Sequence, residues 1–145
     1  MPAGNEFQYT ILRLVPSVER GERLNVGVVL YCRRRDFLGA RAHIDEAVLR
    51  AIAPDLSAAD VQPHLDALCA VAAGDERAGP LAVLPRSERF GWLASPSSTV
   101  IQPSPTHTGI TEDPGATLAR LFETLVARRP PRLRSTGGDL GRGEL

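Results

Sequence analysis

Residues 24–33 form the segment that most constrains how this chain can fold, because their apolar side chains occupy both faces of a strand. With the period of two that a strand imposes, one face carries Leu24, Val26, Val28, Leu30 and Cys32. The other face carries Asn25, Gly27, Val29 and Tyr31. A strand of this kind needs cover on both sides, so we expect it in the middle of a sheet.

Two further strands are predicted beside this one. Residues 7–15 alternate in the same way, and one face carries Phe7, Tyr9, Ile11, Arg13 and Val15. Residues 34–36 are charged and predict a hairpin turn, after which residues 37–44 continue as a third strand. Because both connections are short, the three strands are expected to form an antiparallel meander.

Two helices are predicted after these strands. Asp45 is a good N-cap for a short helix that ends at Pro54. A second helix is expected over residues 61–73, with Ser57 or Asp60 as its cap.

The C-terminal half is predicted to be less regular until a final helix. We expect a helical turn over residues 86–94, a short strand over residues 100–102 and irregular chain over residues 103–111. Asp113 caps the last helix and Pro114 takes its first position. Its apolar stripe consists of Leu118, Leu121, Phe122, Leu125 and Val126.

The chain has 145 residues, the length of one ordinary domain. We expect an α+β fold, in which a small antiparallel, meander-like sheet of about three to four strands packs against about three helices. Residues 1–6 are expected to be a flexible N-terminus and residues 7–128 the single folded domain. Residues 129–145 are rich in Pro, Gly and Arg and offer little to bury, so we expect a disordered basic tail there.

Composition argues against several classes of function. The 17 basic residues balance 17 acidic ones, so no overall field attracts nucleic acid or an anionic membrane. No apolar run is long enough for a membrane helix. The two cysteines lie in separate apolar segments, and no histidine pair has metal-ligand spacing. We therefore expect a cytoplasmic protein that uses no metal and no cofactor.

The segment over residues 20–29 is the most unusual, because it leads a charged glycine turn directly into the apolar strand. Nearby, Arg13 is the only charge in the first strand, and a buried arginine needs an anionic partner. We expect Glu22 to be that partner in an internal ion pair. The alternative is a bound anion, held at this end of the sheet by Arg13, Glu22 and Asn25.

His107 is a candidate for proton transfer or phosphate binding, because hydroxyl-bearing residues surround it in the chain. Ser98, within the hydroxyl-rich residues 97–99, belongs to the same candidate site. The alternative interpretation is a solvated loop histidine. The sequence holds no P-loop, no dinucleotide-binding fingerprint and no nucleophile elbow.

Several of these segments together resemble a known family. Residues 9–16, YTILRLVP, and residues 20–29, RGERLNVGVV, with residues 89–90, 97–99 and 107–109, are similar to the bacterial domain-of-unknown-function family 3037. The resemblance implies no established activity and assigns no residue roles. It does imply an accessory role, because members of that family are often encoded beside HipA-like kinases, which makes a kinase the implied protein partner.

Two function hypotheses follow. The first is a small accessory or binding protein that recognises a protein partner or an anionic small molecule. The second is an enzyme on a phosphorylated or nucleotide-like substrate, with Arg13 and Arg89 supplying charge and His107 transferring a proton. Convergence of the candidate side chains in one cleft would favour the enzyme; these are Arg13, Glu22, Asn25, Arg89, Ser98 and His107.

Overall fold

The computed structural model describes residues 4–17, 19–96 and 100–127. In these ranges the chain forms five strands and four α-helices. The strands are β1 (Asn5–Leu14), β2 (Leu24–Cys32), β3 (Phe37–Ala42), β4 (Ile101–Pro103) and β5 (His107–Thr111). The helices are α1 (Glu46–Ile52), α2 (Ala58–Ala73), α3 (Arg86–Leu93) and α4 (Pro114–Leu125). The predicted tail over residues 129–145 lies outside the described residues.

The strands form one antiparallel sheet in the order β3-β2-β1, with β4 and β5 both paired to the outer edge of β1. This confirms the α+β class and the antiparallel meander, with slightly more strands than expected. β5 corrects the prediction of irregular chain over residues 103–111. The prediction failed because β5 lacks apolar alternation and owes its conformation to pairing with β1.

Two cores fill the two faces of the sheet. The first packs Leu12, Val29 and residues of α1, α2 and α3 together. The second packs Val28 and Leu30 against Leu118 of α4. β2 therefore lies in the middle of the sheet with cover on both sides, as its sequence predicts.

A β-bulge in β2 overturns part of the predicted face assignment. Leu12 pairs with Gly27, but its neighbour Arg13 pairs with Asn25, so Val26 is an extra residue without a partner in β1. A bulge of this kind reverses the alternation of side chains beyond it. Asn25 therefore lies on the α4 face, whereas Val26 belongs to the first core on the opposite face.

The helix ends follow local capping. The hydroxyl of Ser57 accepts a hydrogen bond from the Asp60 N–H, and the Asp60 carboxylate accepts one from the Ser57 N–H, each at 3.3 Å. This reciprocal cap starts α2 at Ala58, three residues before its predicted start. Asp113 caps α4, with Pro114 in the first position as predicted. None of the helices within the described ranges is both long and apolar enough to cross a membrane.

Candidate functional site

The β-bulge brings Arg13 and Asn25 together on the face of the sheet that α4 covers. The two residues are direct cross-strand partners, so their Cβ atoms lie about 5 Å apart. The Asn25 side-chain amide donates a hydrogen bond to the backbone carbonyl of Leu125, 3.1 Å away at the end of α4. Arg13 is half-buried. The pair therefore forms a polar corner where β1, β2 and the last turn of α4 meet.

Arg13 does not form the predicted ion pair with Glu22. The Glu22 carboxylate instead accepts a hydrogen bond from Arg20, 3.3 Å away in an exposed turn. The turn reverses at Gly21, which has a φ of +70°, a conformation that favours glycine. This reversal brings two residues of the same loop together. Within the part of the chain that the structure describes, no carboxylate pairs with Arg13.

His107 lies on the same face of the sheet but farther along β1. It is the cross-strand partner of Tyr9, and the two rings stack with centroids 5.1 Å apart and an interplanar angle of 29°. Tyr9 and Arg13 are four residues apart in β1, which corresponds to about 13 Å along a strand. Arg13 and His107 therefore share a face of the sheet but lie too far apart for one small ligand group to contact both side chains.

Arg89 lies on the opposite side of the sheet, where it is buried in the first core region. Its Nη1 donates to the carbonyls of Val71 and Ala72, and its Nε donates to the carbonyl of Leu84, all at 2.9 Å. Desolvation, with a smaller contribution from Arg86, lowers the pKa of the Arg89 guanidinium. Arg89 thus closes the end of α2 and does not meet Arg13.

The other residues that the sequence singled out do not add a ligand group to the Arg13 corner. Ser98 lies outside the described residues. A Cβ on Gly27 would approach both the carbonyl oxygen of Arg41 and the Leu12 side chain to 3.1 Å, so this glycine allows β3 and Leu12 to pack closely. Among the residues that the structure describes, no three histidine, cysteine or acidic side chains group closely enough to hold a metal ion.

The structure also contains an apolar cleft that the sequence analysis missed. A cavity of about 450 Å³ lies between α2, α3 and β4, and its lining includes Leu12, His64, Leu68, Trp92 and Pro103. Trp92 is 45% exposed, whereas Phe90 and Leu93 of the same helix are buried. At about 100° per residue, position 92 lies roughly 100° around the helix from position 93 and roughly 160° from position 90. The spacing of residues within α3 therefore does not by itself show whether Trp92 is buried or exposed.

Comparison with known proteins places the chain in a family. Neither the search of curated proteins nor the search of solved structures found a significant match. The family described as "Protein of unknown function (DUF3037)" matches residues 9–126, which is most of the chain and all of β2 to α4. The matched residues include Arg13, Asn25, Trp92 and His107. This chain therefore belongs to the domain-of-unknown-function family DUF3037.

Proposed function

We propose that this protein is an accessory or binding protein that recognises an anionic group at the corner formed by Arg13 and Asn25. The observation that carries the proposal is the half-buried Arg13, whose guanidinium has no carboxylate partner within the described ranges. A cation removed from water is stabilised when an anion pairs with it. A ligand carboxylate or phosphate would supply that anion.

The corner has the donors that such a ligand needs. A guanidinium presents parallel N–H groups that match the two oxygens of a carboxylate or phosphate. The Asn25 amide uses one N–H on the Leu125 carbonyl, which leaves its second N–H for a ligand. The contact with α4 also fixes the orientation of the amide. Arg13 would therefore supply the charge, and Asn25 a directed hydrogen bond.

The partner that we propose is a protein that presents the anionic group, and the family resemblance suggests a HipA-like kinase. An anionic small molecule could use the same donors. The alternative enzyme would need Arg13, Arg89 and His107 in one cleft. The donors of Arg89 bond to backbone carbonyls on the other side of the sheet, and His107 stacks on Tyr9. The geometry therefore favours binding over that reaction.

Thermal unfolding in inorganic phosphate tests the anion site. Phosphate should raise the melting temperature of the wild type above its value in sodium chloride of equal ionic strength, because a ligand that binds only the folded state stabilises it. The increase should disappear in Arg13→Leu and persist in Arg20→Leu, which removes an exposed arginine of the neighbouring loop. Equal increases in the wild type and Arg13→Leu would contradict the proposal.

Co-purification tests the partner. A HipA-like kinase expressed with the wild-type protein should be retained on it, and Arg13→Glu should abolish retention because it replaces the cation with a carboxylate. Arg34→Glu makes the same charge change in the exposed β2–β3 turn and serves as the matched control. Retention that Arg13→Glu leaves unchanged would place any kinase contact elsewhere.

A further inference from the structure

A continuous apolar groove runs along α2 on the side of the protein away from α4. The cavity of about 450 Å³ beside β4 and a second cavity of about 520 Å³ share Ala67, Leu68 and Trp92 as lining residues. Together they follow α2 from Pro63 to Val71, a distance of about 12 Å along the helix axis. The groove is therefore elongated rather than a closed pocket for one small molecule.

The lining residues of α2 form a helical row of their own. His64, Ala67, Leu68 and Val71 line the groove at the spacing i, i+3, i+4 and i+7, which places them along one side of the helix. Other residues of α2, including Val61 and Leu65, pack into the first core. Val71 and Leu68 also belong to that core, so the row lies along the border of the face that packs on the sheet, and His64 and Ala67 are its exposed members.

Exposed apolar side chains extend this surface. Trp92 is 45% exposed where the two cavities meet. Val83 and Leu84 are 63% and 36% exposed in the segment that follows Leu81, which lines the second cavity. Exposed apolar side chains in and near a groove are typical of interaction sites on soluble proteins.

Charge around the groove selects the partner. The charged residues of α2 are Asp60 and Asp66, with no arginine in the helix. Asp66 lines the second cavity together with Asp75 and Arg77, and the latter two pair with each other at 2.9 Å. The rim therefore carries a net negative charge, which favours a partner with basic residues beside its apolar ones.

We propose that this groove binds an amphipathic helix of a partner protein, with leucine-like side chains on one face and arginine or lysine beside them. The helix would lie along the row from His64 to Val71 and place an apolar side chain against Trp92, as in other helix-in-groove complexes. The groove and the Arg13 corner lie on opposite sides of the sheet. Binding at the groove and binding at the Arg13 corner can therefore be tested independently.

Trp92 supplies the signal for the test because it is the only tryptophan in the chain. The probe is a synthetic amphipathic peptide of about 14 residues, roughly four helical turns, with leucines on one face and arginines at its flanks. Added to the full-length protein, it should shift the Trp92 emission to shorter wavelength in a saturable way. A peptide with glutamates in place of the arginines should bind several-fold more weakly, and Asp66→Asn should reduce that difference.

Two variants of α2 make the test specific to the groove. Ala67→Arg places a long cation where the two cavities meet and should weaken binding of the arginine peptide about tenfold or more, equivalent to at least 1.4 kcal/mol. Ala59→Arg makes the same change at an exposed position near the start of α2 and should leave binding unchanged. Circular dichroism of both variants checks that each remains folded.

Several results would overturn the proposal. Binding that is equal for wild type and a folded Ala67→Arg, or no shift in Trp92 emission at saturating peptide, would show that the groove does not hold a helix. Concentration-dependent self-association abolished by Ala67→Arg would assign the groove to a second copy of the chain. An emission shift on phosphatidylcholine vesicles but not on the peptide would assign it to a membrane surface.

Discussion

The hydroxyl of Ser104 accepts a hydrogen bond from the backbone N–H of Ile11, 2.9 Å away, in the gap between β4 and β5. The backbone N–H of Ser104 donates in turn to the Ile11 carbonyl at 2.8 Å. The Thr10 hydroxyl donates to the Ser104 carbonyl at 2.7 Å. Ser104 thus bridges the interruption in the outer strand and satisfies the edge of β1 where neither short strand pairs with it.

Ser104→Ala should destabilise the protein by about 2 kcal/mol, because it leaves the buried Ile11 N–H without an acceptor. Denaturant unfolding measures the loss, and hydrogen exchange at the Ile11 amide should become faster. Ser104→Thr keeps a hydroxyl and is the control, which should retain protection of that amide. Unchanged exchange in Ser104→Ala would show that water replaces the hydroxyl at no cost.

Arg89→Leu should cost about 3 kcal/mol, because three backbone carbonyls lose their donor while the substitution keeps an apolar side chain of moderate size. Arg86→Leu, at an exposed position of the same helix, should change stability by about 0.5 kcal/mol or less. Urea unfolding of the two variants makes the comparison. Similar, small losses of unfolding free energy in both variants would show that the hydrogen bonds of Arg89 contribute little to stability.

Leu118→Ala should cost about 3 kcal/mol, in the usual range for a buried leucine. Leu118 is 6% exposed and packs in the second core against strands of the sheet. Thr124→Ala, at an exposed position of α4, is the matched control and should be nearly neutral. A loss below about 1 kcal/mol for Leu118→Ala, measured by denaturant unfolding, would mean that α4 contributes little to the second core.

Cys69 should react slowly with thiol reagents near pH 8. Burial, and to a smaller extent the charge of Asp66, raises the pKa of the Cys69 thiol above its ordinary value of 9.0, so the reactive thiolate is scarce. The contribution of Cys69 to stability is full below the unfolded thiol's pKa, and it is lost as pH rises through the higher folded pKa.

The rate of alkylation by iodoacetamide, followed against pH in a Cys32→Ala background, measures the pKa of Cys69. Asp66→Asn should move the midpoint of this profile to lower pH, because it removes the smaller of the two causes. Glu46→Gln, which removes a distant exposed carboxylate on α1, should leave the profile unchanged. A midpoint at or below the ordinary value in the wild type would contradict the expected direction.

Elements with local sequence signals could be predicted. The apolar stripe and the Asp113 and Pro114 cap identify α4, and the two apolar faces of β2 identify a central strand. β5 could not be found in this way. Gly109 lies against the Phe7 ring, which a Cβ at that position would approach to 2.6 Å, so this strand depends on a residue about a hundred positions away in the chain.

The candidate site was predicted only where local sequence patterns determine it. Strand alternation correctly gives Arg13 a shared face with Tyr9. The bulge at Val26, which brings Asn25 to that face, was not predicted, although a glycine inside a strand, here Gly27, is compatible with either a bulge or a close backbone approach. The exposure of Trp92 depends on how α2 and α3 pack, which the spacing of residues within α3 does not specify.

The pairing of β1 with residues 101–111 has a consequence for synthesis of the protein. β1 leaves the ribosome before β4 and β5, so its outer edge stays unpaired until those strands emerge, nearly a hundred residues later. At ordinary translation rates this interval lasts about 5 to 20 s. An open strand edge invites pairing with other chains, so the nascent protein would benefit from a chaperone that shields β1 during this interval.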